Sequence, residues 1–253
     1  MENKNGAAVT NPTTAPYLTS LAASCASATG FVDHGLHPSL PNYLAATTGD
    51  PHGVADDGPP SAHPLSTDNI FRQIRSTGQR AVSYEENMPG TCTLATTHLY
   101  AVKHNPAIYF VDPDDRAACQ RDNVPFDQFD HDLDNGELPA FSFVTPNLCN
   151  DMHSCPVLTG DRWLQHTVAT ITDSAIYRQG RTIVFITFDE SEGSGMMPFF
   201  AIAPGIRSGT QATGPLDHYA LLAFTEDALG VPTHLGHAAG AFSLATALGL
   251  PAP

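Results

Sequence analysis

Two adjacent carboxylates follow a strongly apolar run near residue 190. Residues 182–188 read TIVFITF, and Asp189 and Glu190 come directly after them. Two negative charges at the mouth of a buried strand are costly unless a cation or strong hydrogen-bond donors offset them. Hard divalent metals prefer such oxygen ligands. Taken alone, this pattern supports a metal site and a solvated acidic loop equally.

A serine between two prolines offers a second chemical group. Residues 37–42 read HPSLPN and lead into a helix-like apolar stretch. A serine hydroxyl becomes a good nucleophile only when a metal or a base activates it. Free amides at the start of the helix would face an incoming phosphate, and Asn42 could direct its amide at a phosphate oxygen. In the alternative interpretation, Ser39 only caps the helix.

Strand-like runs alternate with helix-period segments along the chain. This alternation predicts an α/β fold, with a doubly wound, mostly parallel central sheet and helices on both faces. Ligands of such sheets gather at the carboxyl ends of the strands. Besides Asp189 and Glu190, the polar residues at such ends are Glu85, Glu86, Asn87, Asp112, Asn147 and Asp151. The predicted strands cover residues 80–84, 107–111, 140–145, 182–188 and 199–203, and the predicted helices cover residues 15–28, 40–47, 67–76, 162–177 and 218–229.

Length and charge restrict the class of protein. A chain of 253 residues is expected to form a single domain, 1–253. No run reaches the roughly 20 apolar residues of a membrane helix, so stable membrane insertion is not expected. With 26 acidic and 11 basic residues, the formal charge of -15 disfavours nucleic-acid binding. A small phosphorylated substrate stays compatible, because a bound metal inverts the local field inside a cleft. The oligomeric state is left open.

Six short motifs occur in a fixed order along nearly the whole chain. Together they resemble the phosphoesterase family that contains bacterial acid phosphatases and phosphatidylcholine-type phospholipases C, within the alkaline phosphatase superfamily. The resemblance implies an alkaline phosphatase-like fold and a phosphoserine intermediate. The motifs are Glu2-Asn3, HPSLPN at 37–42 with Thr48-Gly49, NLCNDMH at 147–153, GDRWL at 160–164, FDE at 188–190 and DHY at 217–219.

The resemblance implies a role for individual motif residues. Ser39 would be the nucleophile and Asn42 a stabiliser of the transferred phosphoryl group. His153 is the preferred candidate histidine and His218 the second, and either would bind the metal or a phosphate oxygen. His104 also falls at a family position, although a surface histidine is the other interpretation. The divalent metal that contacts the Ser39 oxygen would be held by Glu2, Asn3, Asp189 and Glu190.

The segment after Glu190 departs from the family pattern. Many relatives carry a histidine there that contacts the site, whereas residues 191–197 read SEGSGMM. We therefore expect one metal ion rather than two, and its identity is left open.

Five cysteines are present, and their spacing alone does not fix the pairing. Cys25 lies among small residues and is expected to be an inert packed thiol. Cys149 and Cys155 could form a disulfide or a metal hook, and a disulfide is favoured because no second ligand pair accompanies them. By the resemblance, the family's disulfides would join Cys92 with Cys119 and Cys149 with Cys155. This pairing implies an oxidising compartment and a secreted or periplasmic protein.

The start of the sequence also differs from the family pattern. Relatives carry an apolar strand before the Met-Glu-Asn motif, and this sequence begins at that methionine. The sheet either lacks its first strand or belongs to a longer secreted precursor. We favour the precursor, which also accounts for the missing signal peptide.

The resemblance implies a metal-dependent hydrolase of phosphate esters. An acid phosphatase acting on soluble monoesters is the favoured form, because no lipid-binding appendage is evident. A phospholipase C or another phosphodiesterase is the alternative, and residues 196–200 are the only candidate for the apolar rim that it would need. The second alternative is a catalytically silent member that binds a metal or an anion.

Overall fold

The computed structural model describes residues 1–193 and 195–250, which alternate between helices and strands and confirm the predicted α/β fold. Ser194 and residues 251–253 of the predicted domain lie outside the described residues. The helices are α1 (Gly6–Val9), α2 (Pro16–Ser24), α3 (Ser39–Thr48), α4 (Ile70–Ser76), α5 (Pro113–Asp122), α6 (Asp127–Asp134), α7 (Val157–Thr172), α8 (Ala175–Arg178), α9 (His218–Ala228) and α10 (Leu244–Leu248). The strands are β1 (Ala26–Val32), β2 (Ala81–Glu85), β3 (Asn123–Pro125), β4 (Phe141–Thr145), β5 (Val184–Thr187), β6 (Met196–Ile202), β7 (Gln211–Ala212) and β8 (Leu216–Asp217). Short 3₁₀ helices cover Val102–His104, Pro106–Tyr109 and Gly236–Gly240.

The chain divides into two compact units. Unit 1 comprises Met1–Gly35, Leu148–Asp217 and the described residues from Phe242 onward. Unit 2 comprises Leu36–Asn147 and His218–Ala241. Each unit has a sheet of its own. The single domain expected from the chain length stays a prediction.

The sheet of unit 1 is mixed. Its order is β5-β6-β1-β7, and β8 also pairs with β1. Strand β6 runs antiparallel to both β5 and β1, whereas β7 and β8 run parallel to β1. The segment between Thr187 and Met196 is too short for the helical crossover that a parallel pair needs, so β6 returns antiparallel to β5. In this unit, the sheet therefore pairs antiparallel at β5-β6-β1 and parallel where β7 and β8 join β1. The stacked rings of Phe31 and Phe199, 4.7 Å apart, lie in its core.

Residue 1 pairs with the end of β5. The Met1 amine donates to the carbonyl of Thr187 at 3.2 Å, and the amide of Asp189 donates to the carbonyl of Met1 at 3.0 Å. Glu2 and Asn3 follow at once, so this pairing brings them to the strand end that carries Asp189.

The sheet of unit 2 is parallel, with the order β3-β2-β4. Ser83 pairs with both Asn123 and Phe143. The carboxyl ends of the three strands consequently meet at one edge, at Glu85 and Thr145 among others, as predicted for β2 and β4.

Two predicted elements differ in type from the observed ones. Residues 106–109 form a 3₁₀ helix instead of a strand, and Phe110 makes only an isolated bridge with Leu65. The predicted helix 15–28 ends at Ser24, and β1 begins at Ala26. Small residues such as Ala26 and Ala28 favour a helix by propensity, but pairing with β6 buries both, and tertiary context overrides propensity.

Within the described residues, no helix combines the length and the apolar character needed to cross a bilayer.

Candidate functional site

Hydrogen bonds in unit 1 join two of the four predicted metal ligands to each other and a third to Asp151. The amide of Asn3 donates to Oδ1 of Asp189 at 3.0 Å, and the amide of Glu2 donates to the carbonyl of Asp151 at 2.8 Å. Glu190, the fourth, follows Asp189 in the chain. Asp151 was not among the predicted metal ligands, although its position after a predicted strand was a signal for it.

The carboxylates at this strand end are buried. Glu2 and Asp151 are 0% exposed, Asp189 is 5% exposed and Glu190 is 8% exposed. Buried carboxylates are costly without positive charge nearby. Oxygen donors in a buried cluster match the ligand preference of a hard divalent cation. The residues present in unit 1 therefore fit a divalent metal.

Asp33 anchors the segment after this carboxylate pair. It follows β1, and its Oδ2 accepts bonds from the amide and the hydroxyl of Ser191 at 2.8 and 2.7 Å. Its Oδ1 accepts from the amide of Gly35 at 2.9 Å. Sequence reasoning missed Asp33, because no motif surrounds it and Ser191 lies 158 positions away.

The two candidate histidines differ in burial. His153 is exposed: its amide donates to Oδ1 of Asp151 at 2.7 Å, and its ring lies 3.0 Å from the hydroxyl of Ser154. His218 is buried in unit 2, as the first residue of α9. Burial therefore favours His218 over His153, the reverse of the order expected from the sequence.

Ser39 is the first residue of α3 and is buried. The N-cap position is Pro38, which makes no side-chain cap bond, so the interpretation of Ser39 as the helix cap is wrong. Asp57 acts as the cap instead, because its Oδ1 accepts the amide of Leu40 at 3.0 Å while its Oδ2 binds Lys103 at 2.7 Å. The amide of Leu40 is thus satisfied within the protein and does not face a ligand.

Asn42 holds the turn that precedes Ser39. Its side chain is fully buried, and its Nδ2 donates to the carbonyl of Leu36 at 2.8 Å and to that of Pro38 at 3.4 Å. The peptide bond between His37 and Pro38 is cis. An amide nitrogen carries two hydrogens. Asn42 would have to give up one of these bonds in order to donate to a phosphate.

The Thr48-Gly49 pair of the same motif ends α3. Gly49 has a positive φ of 74°, and a Cβ on it would lie 2.2 Å from the carbonyl oxygen of Leu235. Only glycine fits this position without rearrangement. The hydroxyl of Thr48 lies within hydrogen-bond distance of the carbonyls of Leu44 and Asp50, at 2.9 and 2.6 Å. Both residues therefore have a structural role.

His104 is buried, so its interpretation as a surface histidine is wrong. Its ring stacks on Tyr43 with centroids 5.3 Å apart, and its carbonyl accepts from the hydroxyl of Thr145 at 3.2 Å. Glu85 is also buried at the end of β2. Burial raises the pKa of Glu85 to about 8, although hydrogen bonds from Ser83 and Thr145 oppose the shift.

Asp161 of the GDRWL motif ties two helices of unit 1 together. Its carboxylate accepts the amides of Tyr17 and Leu18 at 3.0 and 2.9 Å, at the start of α2. The preceding residue Ala15 provides no side-chain cap, so Asp161 supplies it from α7. The motif is therefore structural at this position.

Two disulfides are present, and they are the two that the resemblance implied. Cys92 and Cys119 have Cα atoms 5.3 Å apart, and Cys149 and Cys155 have Cα atoms 4.7 Å apart. The disulfide interpretation of the Cys149 pair is confirmed over the metal hook. Cys25 carries a free thiol and is half-buried.

Comparison with known proteins adds to this geometry. The model of the Phosphoesterase family matches residues 8–232. A phosphatidylinositol-3-phosphatase of Mycobacterium tuberculosis is 30% identical over 91% of this chain and 75% of its own length. A probable acid phosphatase of Kluyveromyces lactis is 31% identical over 79% of this chain, and the match spans 50% of the yeast protein. An acid phosphatase of Aspergillus fumigatus is 27% identical over 78% of this chain and 47% of its own length.

A solved structure shares the fold. The structure of Ps i-CgsB in complex with k-i-k-neocarrahexaose matches with a TM-score of 0.56 over 87% of this chain and 67% of that one, at 14% identity. At this identity the likeness concerns the fold alone.

An α/β fold with buried carboxylates at its strand ends, together with relatives that are phosphatases, defines a phosphoric ester hydrolase. The chain belongs to the phosphoesterase family. Its two disulfides and its fungal acid phosphatase relatives fit an extracellular location.

Proposed function

We propose that the protein is a metal-dependent acid phosphatase that hydrolyses phosphate monoesters. The observation that carries the proposal is that hydrogen bonds join Asn3 to Asp189 and Glu2 to Asp151 in unit 1, where the carboxylates of Glu2, Asp151 and Asp189 are buried. Family membership and the acid phosphatase relatives support the reaction class.

The proposed ligands of the metal are Glu2, Asn3, Asp189 and Glu190, as the family resemblance implies. Asp151 is added because its backbone binds Glu2 and its side chain is fully buried. A divalent ion held there would supply positive charge for the phosphoryl oxygens of the substrate.

In the proposed reaction, Oγ of Ser39 attacks the phosphorus of the ester. A new oxygen–phosphorus bond forms, the ester bond breaks, and the alcohol leaves with the proton that the Ser39 hydroxyl has lost. Water then cleaves the phosphoserine, which releases inorganic phosphate and restores Ser39. His218, His153 and Asn42 are the proposed groups that bind the phosphoryl oxygens or the metal, and His218 is preferred because it is buried.

Two substrate questions follow from the comparisons and from the alternatives. The mycobacterial relative is a phosphatidylinositol-3-phosphatase, which makes a phosphoinositide monoester a second substrate to test. The phosphodiesterase alternative needs an apolar rim. In strand β6, Met197, Phe199 and Phe200 are buried and only Met196 is substantially exposed, at 48%. Their burial favours a monoester substrate.

The deciding experiment is turnover of p-nitrophenyl phosphate by the wild type and by Ser39→Ala, with and without a chelator. We expect Ser39→Ala to lower kcat by about a thousand-fold, because the nucleophile is lost. The chelator should abolish wild-type turnover, and added divalent metal should restore it. Bis(p-nitrophenyl) phosphate and a short-chain phosphatidylinositol 3-phosphate, assayed in parallel, separate diester from lipid monoester activity.

The matched control is Thr47→Val, which removes a buried hydroxyl from the same helix. That hydroxyl bonds only to carbonyls of α3 in the described structure, so turnover should persist. A wild type that turns over none of the esters with any divalent metal would reject the proposal and favour the catalytically silent member. Equal loss in Ser39→Ala and Thr47→Val would reject Ser39 as the nucleophile.

A further inference from the structure

Asp33 connects the end of β1 with the residue that follows the Asp189-Glu190 pair. The carboxylate is 1% exposed, and its Oδ2 accepts both the amide and the hydroxyl of Ser191. In addition, the amide of Asp33 donates to the carbonyl of Gly195 at 3.3 Å. Asp33 therefore contacts the segment after Glu190 through its side chain and through its backbone.

These bonds restrict the carboxylate pair from its carboxyl-terminal side. Hydrogen bonds to an ionised carboxylate are shorter and about twice as strong as neutral ones. Because Ser191 is covalently joined to Glu190, a fixed Ser191 amide limits the orientation of the Glu190 peptide. On the other side, Asp189 is held by the carbonyl of Met1 and the amide of Asn3. The pair is thus clamped at both ends.

We propose that Asp33 is a positioning residue for the Asp189-Glu190 pair, which it preorganises to bind a divalent cation. The inference rests on the proposed function for the assignment of Asp189 and Glu190 as ligands. Asp33 acts through Ser191, and it needs no contact with the cation or with the substrate. Residues that orient metal ligands in this way typically change metal affinity by 10- to 100-fold when they are replaced.

The test is the affinity of the full chain for Mn²⁺ and for Zn²⁺, each added alone after removal of metal with a chelator. Isothermal titration calorimetry reads binding without any turnover. We expect Asp33→Asn to weaken binding by about 10- to 100-fold, because an amide cannot accept all the bonds that the carboxylate accepts. Ser191→Ala should weaken binding less, because it removes the hydroxyl bond and keeps the amide bond.

Asp161→Asn is the matched control. Asp161 is also 1% exposed and also accepts backbone amides from a segment more than 140 positions away, at Tyr17 and Leu18. We expect Asp161→Asn to lower thermal stability as Asp33→Asn does, but to bind metal with wild-type affinity. A parallel loss of affinity in both variants would show a general effect of destabilisation and overturn the inference.

The outcomes separate this inference from the proposed function. Wild-type affinity in Asp33→Asn, in an enzyme that hydrolyses p-nitrophenyl phosphate, overturns the positioning role and leaves the phosphatase intact. Asp33-dependent binding in a chain that hydrolyses no ester supports the positioning role and rejects the phosphatase. If Asp33→Asn does not fold, Ser191→Ala decides the matter, and unchanged affinity in that variant overturns the inference.

Discussion

The carboxylates of unit 1 and the turn before Ser39 in unit 2 are held by contacts of different range. In unit 1 the contacts join distant parts of the chain: 186 positions separate Asn3 from Asp189, and 158 positions separate Asp33 from Ser191. Around Ser39 in unit 2 they are shorter: Asn42 binds the carbonyl of Leu36, 6 positions away, and Asp57 caps Leu40 from 17 positions away.

The difference in range has a physical consequence. A contact between distant segments is made only when the chain between them is ordered, because the loop-closure entropy has to be overcome first. A contact within one segment needs only that segment. We therefore expect the carboxylate cluster of unit 1 to depend on the stability of the whole unit, and the Ser39 turn of unit 2 to depend on local bonds.

The largest expected effect is a change of folding stability with pH, and it arises from two buried glutamates of unit 2. Burial raises the pKa of Glu85 to about 8 and that of Glu226 to about 7, and both residues lie in unit 2. Each folded-state pKa exceeds the unfolded value, so the folded protein favours the protonated carboxyl group. The contribution of these groups to folding stability is therefore complete below about pH 4.5 and is lost as pH rises through the folded pKa. We expect the ionisation of Glu85 alone to lower the free energy of unfolding by on the order of 3 kcal/mol between pH 5 and pH 8.

Glu85→Gln tests this expectation, because the amide is neutral at every pH in that range. Urea unfolding measured at intervals from pH 5 to pH 8 should show a flatter profile for Glu85→Gln than for the wild type. The control is Glu137→Gln, at an exposed position outside the strands, which should follow the wild-type curve. Identical slopes in Glu85→Gln and the wild type would mean that Glu85 is ionised in the folded protein.

The range of the contacts also explains what could be predicted from the sequence. An apolar run followed by polar residues is a local pattern, and it correctly predicted the strand ends at Glu85, Thr145 and Asp189. Asp33 was missed because its partner is fixed only by the fold of unit 1. Strand β1 was missed because its small residues carry no strand signal without β6 beside them.

The motifs divide into two kinds when their contacts are considered. Asp161 and Gly49 belong to motifs that indicated the family, yet both have structural explanations in the fold. The roles of Ser39 and of the metal ligands remain predictions from the resemblance. Sequence motifs identify which positions matter to a family, and contacts are needed to separate the positions that support the fold from the candidates for chemistry.

The prediction with an intermediate effect tests a long-range contact of unit 1. Asp161→Ala leaves the amides of Tyr17 and Leu18 without their charged acceptor. We expect the free energy of unfolding to fall by about 2 kcal/mol, since hydrogen bonds to charged groups contribute roughly 1.5 to 3 kcal/mol. Urea denaturation followed by circular dichroism measures this loss. Asp173→Ala, at the exposed end of the same helix α7, should change stability by less than about 0.5 kcal/mol. Equal losses of stability in Asp161→Ala and Asp173→Ala would contradict the role of Asp161 as the cap of α2.

The prediction with the smallest expected effect tests the contacts of Asp57 at the start of α3 in unit 2. Asp57→Ala removes the cap of the Leu40 amide and the partner of Lys103. Loss of a helix cap costs about 1 kcal/mol, and the start of α3, which carries Ser39, should loosen with it. We expect a several-fold fall in kcat/KM for p-nitrophenyl phosphate, with little change in Mn²⁺ affinity, because the metal ligands lie in unit 1. The neighbouring Asp56, which pairs with His63 at 2.5 Å, provides the control, and Asp56→Ala should keep wild-type kcat/KM. The expectation would be contradicted if Asp57→Ala lost more Mn²⁺ affinity than kcat/KM. The effect of the substitution would then not be confined to the turn before Ser39.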